Sequence, residues 1–149
     1  MSNRILHVLA LLFVIHAIGC NSSTTGHITF YDKNENIVAK AAISMPSDWK
    51  TRWGYTAICR IEMATNTFPF KYGNEIKCQA GVMQDVVKHL TMFLMSVSSD
   101  KLDANWWAHG VLNAGTCKGK WGTSGLIKQQ NGVLGGDEEL GSIHLIMPD

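Results

Sequence analysis

The stretch Gly81-Val82-Met83-Gln84-Asp85-Val86-Val87-Lys88-His89-Leu90-Thr91-Met92-Phe93-Leu94-Met95-Ser96-Val97 carries the strongest pattern in the chain. Turned at about 100° per residue, Val82, Met83, Val86, Val87, Leu90, Phe93, Leu94 and Val97 fall on one broad apolar stripe. Gln84, Asp85, Lys88 and Thr91 fall opposite. This reading predicts an amphipathic helix over 81–97 that buries its stripe against another layer. Met92 and Met95 fall on the polar side. Either a neighbouring element covers them, or they form a soft exposed patch for a partner. Asp85 and His89 stand four apart, the spacing of an ion pair on a helix edge.

Upstream of this stretch the pattern has a period of two. His27 to Asp32 alternates, Lys33-Asn34-Glu35-Asn36 is turn material, and Ile37 to Met45 alternates again. Together they predict a β-hairpin that ends at Pro46. A polar loop follows, carrying Trp49 and Trp53. Tyr55 to Met63 puts Tyr55, Ala57, Cys59, Ile61 and Met63 on one face, as a strand with one buried side does. Pro69 argues against a central strand over 65–70, and Glu75 to Ala80 reads as a short strand.

Downstream, Leu102 to Leu112 reads as a second short helix weakened by Gly110. Gly115, Gly119, Gly122 and Gly125 mark a flexible loop. Leu126 to Leu134 reads as a hairpin turning at Asn131-Gly132. Gly135 to Glu139 is a solvated turn, and Ile143 to Met147 a last strand. The expected fold is α+β, a small antiparallel β-sheet of about five to seven strands with one main amphipathic helix packed on one face.

The N-terminus has a different character. Arg4 precedes an unbroken apolar run from Val8 to Ile15, extended by Ile5, Leu6 and Ile18. That length suits an export signal and is too short for a membrane-spanning helix. The run ends in Ala17-Ile18-Gly19-Cys20. This resembles the signal of bacterial lipoproteins, in which aliphatic and small residues lead to a cysteine. Ile18, Gly19 and Cys20 match that pattern, while Ala17 stands where Leu is usual. The resemblance implies that Cys20 receives a lipid and becomes the new N-terminus, anchoring the protein to the outer membrane or the periplasmic face. Asn21 beside it is not the Asp that signals inner-membrane retention. The alternative is a secretory signal cut between Gly19 and Cys20, since Ala17-x-Gly19 meets the small-residue rule. The expected organisation is therefore a signal over 1–19, a polar tether over 20–26 and one domain over 27–149.

Composition narrows the function classes. The chain has 149 residues, 46% hydrophobic and 17% charged. Removing the signal with Arg4 lowers Lys+Arg from 13 to 12, against 12 Asp+Glu, so the mature chain is formally neutral. A neutral chain without basic clusters is poorly suited to nucleic acid. Export permits disulfides. If Cys20 is lipidated, Cys59, Cys78 and Cys117 remain and allow one bridge. If it is free, two bridges are possible. Spacing does not choose the pair, and no CxxC occurs.

No catalytic set emerges. Gly115-Thr116-Cys117-Lys118-Gly119-Lys120-Trp121 has the composition of a phosphate loop. It is one residue short, and Trp121 replaces the hydroxyl that would hold magnesium. The histidines form no metal-ligand spacing, and no cofactor is implied. The leaning is therefore against an enzyme and towards a binding module. Candidate binding residues are Trp49, Trp53, Trp106, Trp107, His109, Lys118, Lys120 and Trp121, because tryptophan is enriched at binding hot spots. At least two of the five tryptophans are expected to fill the core instead. The preferred reading is an exported, lipid-anchored envelope protein that binds a protein partner, as an inhibitor or immunity protein against an envelope-targeting hydrolase or toxin. The alternatives are a secreted carbohydrate-binding or toxin-delivery subunit with two disulfides, a small hydrolase with dispersed residues such as His89 or His109, and a structural envelope component.

Overall fold

The computed structural model describes residues 22–97, 104–125 and 137–148. The expected signal segment, Cys20 and the hairpin expected over 126–134 lie outside the described residues. Eight strands follow one another in order: β1 (Ser23–Asp32), β2 (Ile37–Pro46), β3 (Tyr55–Ala64), β4 (Glu75–Asp85), β5 (Leu90–Val97), β6 (Ala104–Asn113), β7 (Thr116–Gly125) and β8 (Asp137–Ile146). Each pairs antiparallel with the next, and β1 pairs with β8. The result is a closed up-and-down barrel, which leaves no strand edge open to pair with another chain. Its only helical element is a 3-10 turn over Trp49–Thr51 among the described residues.

The expected α+β fold is therefore corrected, and the reason lies in residues 81–97. Val82 closes the inward row of β4, and Phe93, Met95 and Val97 alternate inward along β5. Inward positions 82, 93 and 97 are 11 and 4 residues apart, separations that a period of about 3.6 also satisfies. Val86 and Val87, at the centre of the supposed stripe, are 79% and 89% exposed in the connecting turn. That turn is built by Asp85, whose Oδ1 accepts the backbone N–H groups of Val87 and Lys88 at 3.1 and 3.0 Å. Asp85 thus serves the backbone rather than an ion pair with His89, which takes φ 54°.

The other corrections follow from the same closure. Leu102 to Leu112, expected to be helical, contributes β6, and the glycine-rich segment after it is β7. Gly119 faces Gly110 across this pair. A Cβ on Gly119 would run into the His109 carbonyl. The glycines thus permit close strand approach rather than flexibility. Residues 137–139 belong to β8, and β1 takes in Ser23 to Gly26, residues expected in the tether.

Eight strands enclose an interior about as wide as one layer of side chains. Here it is filled by Ile28, Phe30, Ala41, Ile43, Cys59, Phe93, Met95, Trp106, Cys117 and Leu145, among others. The β3–β4 connection folds Phe68 and Phe70 into one end of the barrel. Phe68 lies 4.8 Å from Phe30 and 5.2 Å from Trp121, centroid to centroid. Phe70 lies 6.0 Å from Trp106. At the opposite end, the 3-10 turn inserts Trp49 edge-on to Phe93, at 6.5 Å.

Candidate binding face

Closure separates the tryptophans by their position across the barrel wall. Trp49, Trp106 and Trp121 are 2–3% exposed and belong to the core. Trp121 Nε1 donates to the Tyr31 carbonyl at 2.8 Å. Trp106 Nε1 finds no partner among the described residues. These three are therefore withdrawn as contact residues. Trp53 is 77% exposed, and Trp107 and His109 face outward on β6, half-buried.

The outward face of β4, β5 and β6 is unlike the rest of the wall. Elsewhere the outside carries Lys40, Arg60, Glu62 and Glu139, and the first residues of β4 add Glu75 and Lys77, with ion pairs Arg60–Glu75 at 3.9 Å and Lys120–Glu139 at 3.4 Å. A charged outside around an apolar inside is the reverse of a lipid-spanning barrel. On β4 to β6, however, register places Met83 beside Met92 and Met92 beside Val111. One row further along, Gly81 stands beside Leu94 and Leu94 beside His109. Of the other large apolar side chains that are exposed among the described residues, Val86 and Val87 lie in the β4–β5 turn, and Ile37, Met63, Tyr72 and Ile146 stand on β2, β3, the β3–β4 connection and β8.

Two local features shape this face. The segment 52–54 crosses β4, held by a hydrogen bond from Val82 N–H to the Arg52 carbonyl at 2.9 Å. Gly81 makes the crossing possible, since a Cβ there would strike the Trp53 carbonyl. The crossing raises one wall of a groove of about 310 Å³ lined by Trp53, Gly54, Gln79, Ala80, Gly81, Met83 and Leu94. On β6, the Trp107 indole stacks on the His109 imidazole, centroids 5.0 Å apart and planes 11° from parallel. Gly122, opposite Trp107 in register, leaves the room the indole occupies.

Lys118 and Lys120 sit on β7 opposite Val111 and His109, both exposed. Lys118 gives the apolar face a cationic margin, while Lys120 beside it is paired with Glu139 at 3.4 Å. Trp53, Trp107, His109, Lys118 and Lys120 are thus placed on or beside one surface. Met83, Leu94 and Val111 were not among the residues singled out from sequence, whereas Met92 was. The one signal that pointed to them was the position of Met92 outside the apolar stripe. Met95, which shared that signal, lies inside the barrel.

Among the described residues no polar or charged side chain is fully buried, and no three His, Cys, Asp or Glu side chains converge as a metal site. Burial pushes the Cys117 thiol up to about 12. It also raises the Tyr55 hydroxyl, which donates to Met45 Sδ at 3.5 Å. Both groups stay protonated and neutral at physiological pH, which suits packing rather than nucleophilic attack.

Architecture and surface together define a closed eight-stranded barrel with a side-chain-filled interior and one apolar outer face. No protein-family model, curated protein or solved structure matches the chain.

Proposed function

We propose that the mature domain is a non-enzymatic binding module displayed outside the cytoplasm, and that it grips a protein partner on the outer face of β4, β5 and β6. The observation that carries this reading is the pair of adjacent rows, Met83–Met92–Val111 and Leu94 beside Gly81, with Trp53 crossing over Gly81, on a wall that elsewhere carries mostly polar and charged side chains. Apolar surface gathered in one place and rimmed by charge is characteristic of protein contact sites. Lys118 at the margin favours a partner whose apolar protrusion is flanked by a carboxylate. The groove offers Gln79 as its only polar side chain, which favours protein over glycan, since sugars need several convergent polar groups. An inhibitor or immunity protein against an envelope hydrolase or toxin fits this surface. Cys20 is the lipid-attachment site in this reading, tethering the barrel to the envelope.

The test compares wild type with a Trp53→Ser/Leu94→Ser variant in capture from envelope extract and in inhibition of envelope hydrolases. The reading expects a specific partner and inhibition with wild type, and a loss of at least tenfold in the variant at unchanged circular dichroism. Equal recovery and equal inhibition by both proteins would refute this face. Intact mass of the mature protein tests Cys20 separately, through the presence or absence of a lipid adduct.

A further inference from the structure

Two interior thiols play no part in the binding reading. Cys59 on β3 and Cys78 on β4 are 3% and 1% exposed. Their strands are paired, with Cys59 opposite Ile76 and Ala57 opposite Cys78, so the cysteines are diagonal neighbours on the inward face. Their Sγ atoms lie 3.8 Å apart, the Cys78 thiol donating to Cys59. Cys59 in turn points to Met95 Sδ at 3.9 Å. Both cysteines line a void of about 10 Å³ together with Phe68, Phe70 and Trp106. That space lets the two side chains turn towards each other. A disulfide needs about 2.05 Å between sulfurs, so bonding draws the two Sγ atoms together from 3.8 Å. Cys117, on β7, is a buried free thiol.

We propose that Cys59 and Cys78 are joined as a disulfide between β3 and β4 in the exported protein, with Cys117 left as a buried free thiol. The pairing rests on the export reading, because it needs an oxidising compartment. The oxidant is a protein or small molecule that itself carries a disulfide. One cysteine thiolate attacks a sulfur of that disulfide, forming a mixed disulfide and releasing one oxidant thiolate. The second cysteine thiolate then attacks the cysteine sulfur of the mixed disulfide and releases the other. Two protein thiols are oxidised and one oxidant disulfide is reduced, its two thiolates taking up the two protons. Once the barrel has closed, neither sulfur is open to attack. The bond therefore forms before closure, while the β3–β4 pair is still accessible.

The experiment uses the full-length product purified from its native host. One half is unfolded directly, its free thiols are alkylated, and it is mapped by peptide mass spectrometry. The other half is reduced, unfolded, and refolded in oxidised and reduced glutathione before the same mapping. The expected result in both is a Cys59–Cys78 linked peptide and an alkylated Cys117. Cys117→Ala keeps the link. Cys59→Ala and Cys78→Ala abolish it and lower Tm by about 10 °C for this loop length and chain size. Free Cys59 and Cys78 in both halves, or a link to Cys117, overturns the pairing. A link that forms on refolding but is absent from the host protein overturns the export reading instead.

Discussion

The indole N–H of Trp121 on β7 donates to the backbone carbonyl of Tyr31 on β1 at 2.8 Å. It reaches past β8, which lies between those strands in the barrel order. The bond ties together the two ends of the chain where the barrel closes. Trp121→Phe keeps most of the ring against Phe30 and Phe68 but leaves that carbonyl with one partner fewer. The expected loss is about 1–3 kcal/mol, read from urea unfolding at constant m.

The tryptophans separate into two groups by mutation. Trp49→Ala empties the end of the barrel beside Phe93 and is expected to cost about 3–5 kcal/mol. Trp53→Ser removes a side chain that is 77% exposed and should change stability by no more than about 0.5 kcal/mol. Thermal unfolding of the two variants side by side distinguishes core from contact surface.

Ala114 turns the β6–β7 hairpin at φ 55°. The left-handed region costs a residue with a Cβ about 1–2 kcal/mol, and glycine avoids that cost while adding some chain entropy. Ala114→Gly is expected to raise stability by about 0.5–1 kcal/mol, measured as an increase in the urea midpoint.

The β1–β2 turn responds to acid. The Asp32 carboxyl is held below its ordinary value, chiefly by the backbone N–H of Asn36 and also by that of Asn34, each 2.9 Å from Oδ1. A lowered folded pKa stabilises the turn above the unfolded value of 3.8 and is lost as pH falls through the folded one. Amide exchange at Asn34 and Asn36, corrected for intrinsic rate, should therefore accelerate as pH drops below about 4. In Asp32→Ala it should be fast at every pH. Unchanged protection in that variant would remove Asp32 from the turn.

Particular residues explain which parts of the fold were legible. The β1–β2 hairpin was readable because Ile28 and Phe30 alternate with polar residues and Asp32 to Asn36 is strong turn material. The inward face of β3 was readable for the same reason, although Met63 at its end turned out exposed. Both strands have one wet face and one dry face, which writes a period of two into the chain. Residues 81–97 misled because a hairpin with a short turn places inward side chains at separations a helix also uses. Gly119 and Gly122 misled because their role is to let neighbouring groups approach, and those neighbours come from other parts of the chain, whereas Gly110 correctly weakened the helix expected over Leu102 to Leu112.

The site divides along the same line. By itself the sequence determined the strand alternation of the first half and the supply of tryptophans and cysteines. Only the tertiary structure decided which tryptophans face water and which two thiols meet. It also decided that Met83, Met92, Leu94 and Val111 share one surface. Those properties depend on strand register and on β1 closing against β8. A one-residue change in register would exchange the inside and the outside of every strand, and no local pattern records which strand becomes the neighbour of which.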